Sequence, residues 1–164
     1  MTTEVLNESQ IRQKLNRIAY EIVENNFEAP TLFLVGIKGN GVELAKRLKA
    51  ILEGITDQEL QLATLTINKK NPLKDPINLT CDGALFENGT VILIDDVLNS
   101  GKTMQYAIAK LLEQQLYKLK TVTLVDRKHR RYPVRCDYVG LTLSTTLQDR
   151  IAVDFKGEAK AYLV

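Results

Sequence analysis

Disulfide and metal frameworks are the first things this sequence lacks. Cys81 and Cys136 are the only cysteines in 164 residues, too few and too unpatterned to staple a fold or build a zinc site, so both are expected as ordinary buried or half-buried thiols. His129 is the only histidine and lies in a basic run, which excludes a histidine-based metal centre. No apolar run approaches a membrane span, and Met1 to Gln10 lacks the basic and apolar blocks of a signal peptide, so no membrane association and a cytoplasmic location are expected. Charge of neither sign dominates: a net charge of +2 does not announce nucleic-acid binding, and any such role needs a local patch. Internal repeats and low-complexity tracts are also missing. What remains is a chain with 45% hydrophobic residues, enough for one core, and a single domain spanning residues 1–164 is expected.

The most informative stretch runs Val91-Ile92-Leu93-Ile94-Asp95-Asp96-Val97-Leu98-Asn99-Ser100-Gly101-Lys102-Thr103. Its four leading apolar residues suit a strand buried on both faces of a parallel sheet, because a half-exposed strand alternates. Asp95 and Asp96 then fall at the carboxyl end, where open α/β sheets bind ligands, and are expected to face a ligand and not to be buried ion-pair partners. Behind them Met104, Ala107, Ile108, Leu111 and Leu112 recur with helical spacing, so the turn between carries free amides and the positive end of a helix dipole. Gly101 permits positive φ, and Ser100 and Thr103 offer hydroxyls, which together suit a phosphate monoester. The acids would repel that phosphate, so their occupants are ribose hydroxyls or Mg2+.

Two other readings of this run exist. Gly101-Lys102-Thr103 matches the last three positions of a nucleoside-triphosphate P-loop, but Asp96 stands where that loop needs its first glycine. Alternatively, the acids are a solvated strand end and Ser100-Gly101 a plain turn. A second glycine turn, Gly36-Ile37-Lys38-Gly39-Asn40-Gly41, also sits between an apolar run and a helical pattern. Alone it is a helix entry; paired with the acids it forms a second anion nest, suggesting a ligand with phosphates at both ends of a ribose.

Along the rest of the chain, Ser9 is expected to cap a helix whose apolar positions are Ile11, Leu15, Ile18, Ala19, Ile22 and Val23, ending near Asn25. Strands are expected at Thr31 to Ile37, Leu60 to Ile67, Leu119 to Val125 and Tyr138 to Leu143, with a helix through Val42 to Leu52. Ile151 to Phe155 and Ala159 to Val164 should close a hairpin around Lys156-Gly157-Glu158. The alternation predicts an α/β fold with a mainly parallel central sheet flanked by helices. Asn68 to Thr80, with Lys69, Lys70, Lys74, Pro72 and Pro76, reads as a flexible lid loop.

These residues resemble the type I phosphoribosyltransferases, whose characteristic run is Val91 to Thr103. Arg17 to Ile22, Leu34 to Lys38, Leu44 to Leu48 and above all Leu124 to Arg135 with Asp137 to Gly140 are similar to the branch of bifunctional pyrimidine operon attenuators and uracil phosphoribosyltransferases. The resemblance implies transfer of the phosphoribosyl group from phosphoribosyl pyrophosphate (PRPP) to a nucleobase, a pyrimidine such as uracil, with Mg2+ as cofactor and pyrophosphate released. It implies that Asp95 and Asp96 hold the ribose hydroxyls or waters on Mg2+. Val97, Leu98, Asn99, Ser100, Gly101, Lys102 and Thr103 would form the 5-phosphate loop, and Lys38, Gly39, Asn40 and Gly41 would receive the pyrophosphate. Asp126, Arg127 and Val139 would lie near the base, and Lys69 would act from the lid. A homodimer or tetramer follows from the same resemblance.

The chain departs from that branch at three places. Gly39-Asn40 replaces Thr-Arg, removing a guanidinium from the pyrophosphate turn; Asn68-Lys69-Lys70-Asn71 replaces Tyr-Arg-Asp-Asp in a shorter lid; and Asn99 replaces a tyrosine. Lys69 and Lys70 can compensate electrostatically for the lost arginine, although lysine is a poorer bidentate partner. These departures leave a second reading, a pyrimidine-nucleotide-sensing, RNA-binding attenuation regulator with weak or no catalysis. In that reading Lys128, His129, Arg130, Arg131 and Arg135 touch RNA phosphates; otherwise they form a solvated loop. Asp126 is either a base-pocket residue or an acid paired with Arg127 or Arg130.

Overall fold

The computed structural model describes residues 2–146 and 148–164. Its central sheet has six strands in the order β4-β3-β2-β5-β6-β7, formed by β2 (Thr31–Ile37), β3 (Glu59–Thr66), β4 (Asn78–Leu79), β5 (Thr90–Leu98), β6 (Lys118–Asp126) and β7 (Tyr138–Thr142). All pairings are parallel except the short antiparallel β3–β4 edge. Three helices cover it: α1 (Glu8–Asn25), α2 (Asn40–Glu53) and α3 (Lys102–Leu111). A second sheet, β1-β9-β8, is antiparallel and is built from β1 (Thr3–Leu6), β8 (Ile151–Asp154) and β9 (Lys160–Leu163).

The expected buried strand is confirmed: Val91, Ile92, Leu93 and Ile94 are fully buried, because helices pack on both faces of β5. α1 and α2 close one core with Ile11, Ile18, Leu44 and Leu48, and α3 closes the other through Met104, Ala107 and Leu111. Leu112, expected on the buried stripe of α3, instead ends that helix and is more than half exposed. A further difference lies at α1, whose cap is Asn7 and not Ser9. The Asn7 side chain accepts from the Gln10 amide at 2.9 Å, and Gln10 Oε1 accepts from the Asn7 amide at 2.9 Å, a reciprocal capping box. The lid segment is also shorter than expected, because Asn78 and Leu79 return to the sheet as β4.

Strand lengths open the site. β2 pairs with β5 only as far as Gly36 opposite Ile94, whereas β6 accompanies β5 to the pairing of Leu98 with Asp126. Asp95 and Asp96 therefore lie inside β5 and not at its tip, but they emerge past the last β2 pairing. The small sheet roofs this gap. Arg47 joins it to the helices, stacking on the Phe155 ring at 4.8 Å and meeting Glu8 at 3.5 Å, while the Glu8 carboxylate accepts from the Ala159 amide.

Asn7→Ala should lower folding stability by about 1 kcal/mol in urea titration, whereas Ser9→Ala should stay within about 0.5 kcal/mol of the parent.

Candidate functional site

A cleft of about 180 Å3 opens at the carboxyl edge of β5, lined by Lys69, Asp95 to Met104, and Ile151. One wall is the end of β5 and the turn into α3. The turn requires Gly101, whose φ is +87° and where a Cβ would sit 2.5 Å from Val134 Cγ1. No side chain caps α3; the Ser100 hydroxyl accepts from the Lys102 amide at 3.2 Å, and the remaining first-turn amides of α3 sit at the cleft with the positive end of the helix. Ser100, Lys102 and Thr103 are half-buried around this cup.

Asp95 differs from expectation in being buried, at 4% exposure, while Asp96 is half-buried. Asp95 Oδ1 accepts from the Asp96 amide at 2.9 Å and lies 3.6 Å from Lys69 Nζ. Burial, reinforced by the neighbouring Asp96 charge and opposed by Lys69, pushes the Asp95 carboxyl up to about 8. Asp96 Oδ2 accepts from Asn40 Nδ2 at 3.2 Å, and the same nitrogen donates to the Val153 carbonyl at 2.7 Å, pinning α2 and the small sheet to the acids. Gly41 lets α2 come this close, since a Cβ there would meet the Ile94 carbonyl at 2.8 Å and Asp95 Oδ1 at 3.1 Å.

The lid crosses the mouth of the cleft. Beyond the Lys69 contact with Asp95, Lys102 Nζ donates to the Lys70 carbonyl at 3.2 Å, so the loop is held at the acids and at the start of α3. Asn68 shapes it by accepting from the Lys70 and Asn71 amides at 3.1 and 3.0 Å.

The structure thus gathers Lys69, Asp95, Asp96, Val97, Leu98, Asn99, Ser100, Gly101, Lys102 and Thr103 around one cleft, with Asn40 and Gly41 directly behind the acids. Lys38 and Gly39 lie on an exposed turn next to it and do not line it. Asp126, Arg127 and Val139 do not line it either. Asp126 Oδ1 is held by Arg130 at 2.6 Å and by the Lys128 amide at 2.9 Å, and the Val139 carbonyl accepts from Arg17 at 2.9 Å. Arg127 reaches the cleft indirectly through Asn99. Met104 and Ile151 are the lining residues that sequence reasoning missed: Met104 reads from its helical spacing as a core position of α3, and the place of Ile151 is set by the β8 pairing in the roof, which no motif marks.

Two carboxylates are the whole acidic donor set here, and among the described residues no three His, Cys, Asp or Glu side chains gather as a metal-holding group. That set suits a hard cation that keeps water and takes further oxygens from substrate phosphates, which is how Mg2+ is usually held. Burial first and the Asp96 charge second raise the Asp95 carboxyl, and Lys69 does not offset them. Among the described residues no helix is long and apolar enough to cross a membrane.

Comparison with known proteins gives the family and the fold. Residues 1–158 match the phosphoribosyl transferase domain. The bifunctional protein PyrR of Bacillus cereus strain B4264 is 35% identical, over 93% of this chain and 89% of the relative, and the same values hold for bifunctional protein PyrR of Bacillus anthracis strain CDC 684. Among solved structures, a hypoxanthine phosphoribosyltransferase from Staphylococcus aureus superposes with a TM-score of 0.74 at 21% identity, covering 88% of this chain and 80% of that one. The hypoxanthine phosphoribosyltransferase of Trypanosoma cruzi does so with a TM-score of 0.76 at 18% identity, covering 91% and 84%. The buried acid pair and the amide cup thus stand in an α/β frame shared with those enzymes, and the chain belongs to the phosphoribosyltransferase family, in its PyrR-like branch.

Proposed function

We propose that this chain transfers the 5-phosphoribosyl group of PRPP to a ring nitrogen of a pyrimidine, uracil being the representative base, in the cytoplasm. The observation that carries the reading is the opening of Asp95, Asp96 and the α3 turn onto one cleft. Carboxylates accept hydrogen bonds from ribose hydroxyls, while amides and hydroxyls at a helix start donate to phosphate, and here the two sets adjoin. The 35% identity to the attenuator branch favours a pyrimidine, whereas the likeness to hypoxanthine enzymes is one of fold.

In this reading Asp95 and Asp96 hold the ribose hydroxyls and Mg2+, whose charge offsets that of the departing pyrophosphate. Residues 97–103 seat the 5-phosphate, and Lys38, Gly39, Asn40 and Gly41 receive the pyrophosphate. Lys69 keeps the lid over the acids and excludes water. Ile151 covers one face of the base, and Arg127, together with Asp126 acting through Arg130, supports the wall behind it at Asn99. The C1′–oxygen bond breaks with its electron pair leaving on pyrophosphate. The base nitrogen forms the new bond to C1′ and its proton passes to a pyrophosphate oxygen. Rate then comes from alignment and charge stabilisation and not from a strong base.

A second reading, nucleotide sensing with RNA binding, is favoured by the exposure of Lys128, Arg131 and Arg135 and by a pyrophosphate turn without a guanidinium. Gel shift with pyrimidine-leader RNA separates it: binding that responds to uridine monophosphate (UMP) supports the regulator, and binding that ignores UMP counts against it. Self-association into a homodimer or tetramer would cover exposed apolar side chains such as Tyr20, Phe27 and Tyr117.

Incubating the protein with Mg2+, PRPP and each common nucleobase should release pyrophosphate with uracil; silence with every base would remove the enzyme reading. Asp95→Asn combined with Asp96→Asn should weaken PRPP binding at least about 100-fold by calorimetry while the fold is retained, because each loses charge-assisted contacts. The pair also carries a pH-dependent cost. The folded Asp95 carboxyl titrates at about 8 against an ordinary 3.8, so across that window the native state holds a proton the unfolded chain has lost, and stability falls as pH rises. At pH 8.5 and without ligand, Asp95→Asn should therefore be more stable than the parent by about 1 kcal/mol or more, roughly 2–4 °C in Tm, with the gain gone near pH 4.

A further inference from the structure

Asn99 is an exposed residue on which two arginines converge. Its side-chain Oδ1 accepts from Arg127 Nη1 at 3.0 Å, and its carbonyl accepts from Arg130 Nη1 at 2.7 Å. Neither arginine is free to swing. Arg130 is paired with Asp126 at 2.6 Å and donates to the Val134 carbonyl at 2.9 Å. Arg127 is buried, at 8% exposure, and donates to Thr145 Oγ1 at 3.1 Å, to the carbonyls of Thr146 and Asp149, and to His129 Nδ1. His129 is itself fixed, because its Nε2 donates to the Thr145 carbonyl at 2.8 Å, leaving Nδ1 as an acceptor.

A guanidinium has donors only, so Arg127 dictates which end of the Asn99 amide faces it. The oxygen is drawn to Arg127, and the Nδ2 amino group, which among the described residues donates to no protein acceptor, belongs to a residue that lines the cleft together with the acid pair and Ile151. The site thereby presents two unspent N–H donors and, at that position, no acceptor.

We infer that Asn99, oriented by Arg127, determines base specificity by donating to a carbonyl oxygen beside the ring nitrogen that attacks C1′. This rests on the phosphoribosyl-transfer reading, which puts a planar base against Ile151. A 2-oxopyrimidine projects such an oxygen from the carbon next to its attacking nitrogen. A purine attacking through N9 offers there only the recessed ring nitrogen N3, or, on its other side, a C8–H that accepts nothing from the Asn99 donors. Charge that builds on the pyrimidine oxygen as the ring proton departs is stabilised by the same N–H groups. Asn99 is the group that touches the base; Arg127 is a positioning residue.

The test compares the affinity for UMP with that for ribose 5-phosphate by calorimetry with Mg2+ present, so that the sugar-phosphate contacts cancel. Asn99→Leu, isosteric and without donors, should lower the UMP-to-ribose-5-phosphate affinity ratio by roughly 10-fold or more. Arg127→Met should lower the ratio similarly, because the amide is then free to turn its oxygen toward the base, and Arg127→Lys should restore part of it. In the Asn99→Leu background, Arg127→Met should change the ratio no further, a non-additivity that a merely structural arginine would not give. An unchanged ratio in Asn99→Leu overturns the inference even where the Arg127 variants fail to fold. Absence of pyrophosphate release with every base would remove the transferase reading and leave the affinity ratio to decide on Asn99.

Discussion

Everything at this site depends on one electrostatic constraint, a buried carboxylate beside a second carboxylate with a single lysine for counter-charge. Asp95 is almost fully buried, at 4% exposure, and Asp96 and Lys69 pull its ionisation in opposite directions, with burial and Asp96 prevailing. Such an arrangement is unfavourable for an empty protein and favourable for one that binds cationic or hydroxyl-bearing ligands, because the missing partner is supplied on binding. The surrounding structure serves to keep the acids in this position. β6 continues alongside β5 while β2 stops, Gly41 lets α2 close on Asp95, and Asn40 ties Asp96 to the roof.

The second organising feature is a chain of arginine contacts running from the β6 end to the cleft. Arg127 and Arg130 leave β6 through Asp126 and its following loop, and between them they fix both oxygens of Asn99. This converts a flexible exposed side chain into a fixed donor. It also links the cleft to Thr145, Thr146 and Asp149, which Arg127 holds by hydrogen bonds. Asp126, read from the sequence as either a base contact or a paired acid, takes the second role with Arg130.

Much of the fold was legible because its signals are local. The unbroken apolar run Val91 to Ile94 announces a doubly covered strand, and the helical spacing of Ile11, Leu15, Ile18 and Ile22 announces the amphipathic helix α1. The acid pair and the glycine turn were legible for the same reason, since they occupy consecutive positions. Less was visible where partners are distant. β1 has only four residues and one buried side chain, too short to show a period, and it exists because β9 offers it an edge. The choice of Asn7 over Ser9 as cap also depends on geometry, since both residue types are good caps and only the chain path decides which one meets the Gln10 amide.

By itself the sequence determined the order of the longer strands and helices, the run of an acid pair and a glycine turn, and the resemblance to phosphoribosyltransferases, because each is carried by neighbouring residues whose spacing is fixed by covalent geometry. Only the tertiary structure decided that Asp95 is buried and not exposed, that Lys69 meets it, that Ile151 roofs the cleft, and that Arg127 fixes the orientation of the Asn99 amide. Such contacts join residues distant in the chain, as Asn40 and Val153 are, 113 positions apart. They follow from strand register and packing, which no local pattern encodes.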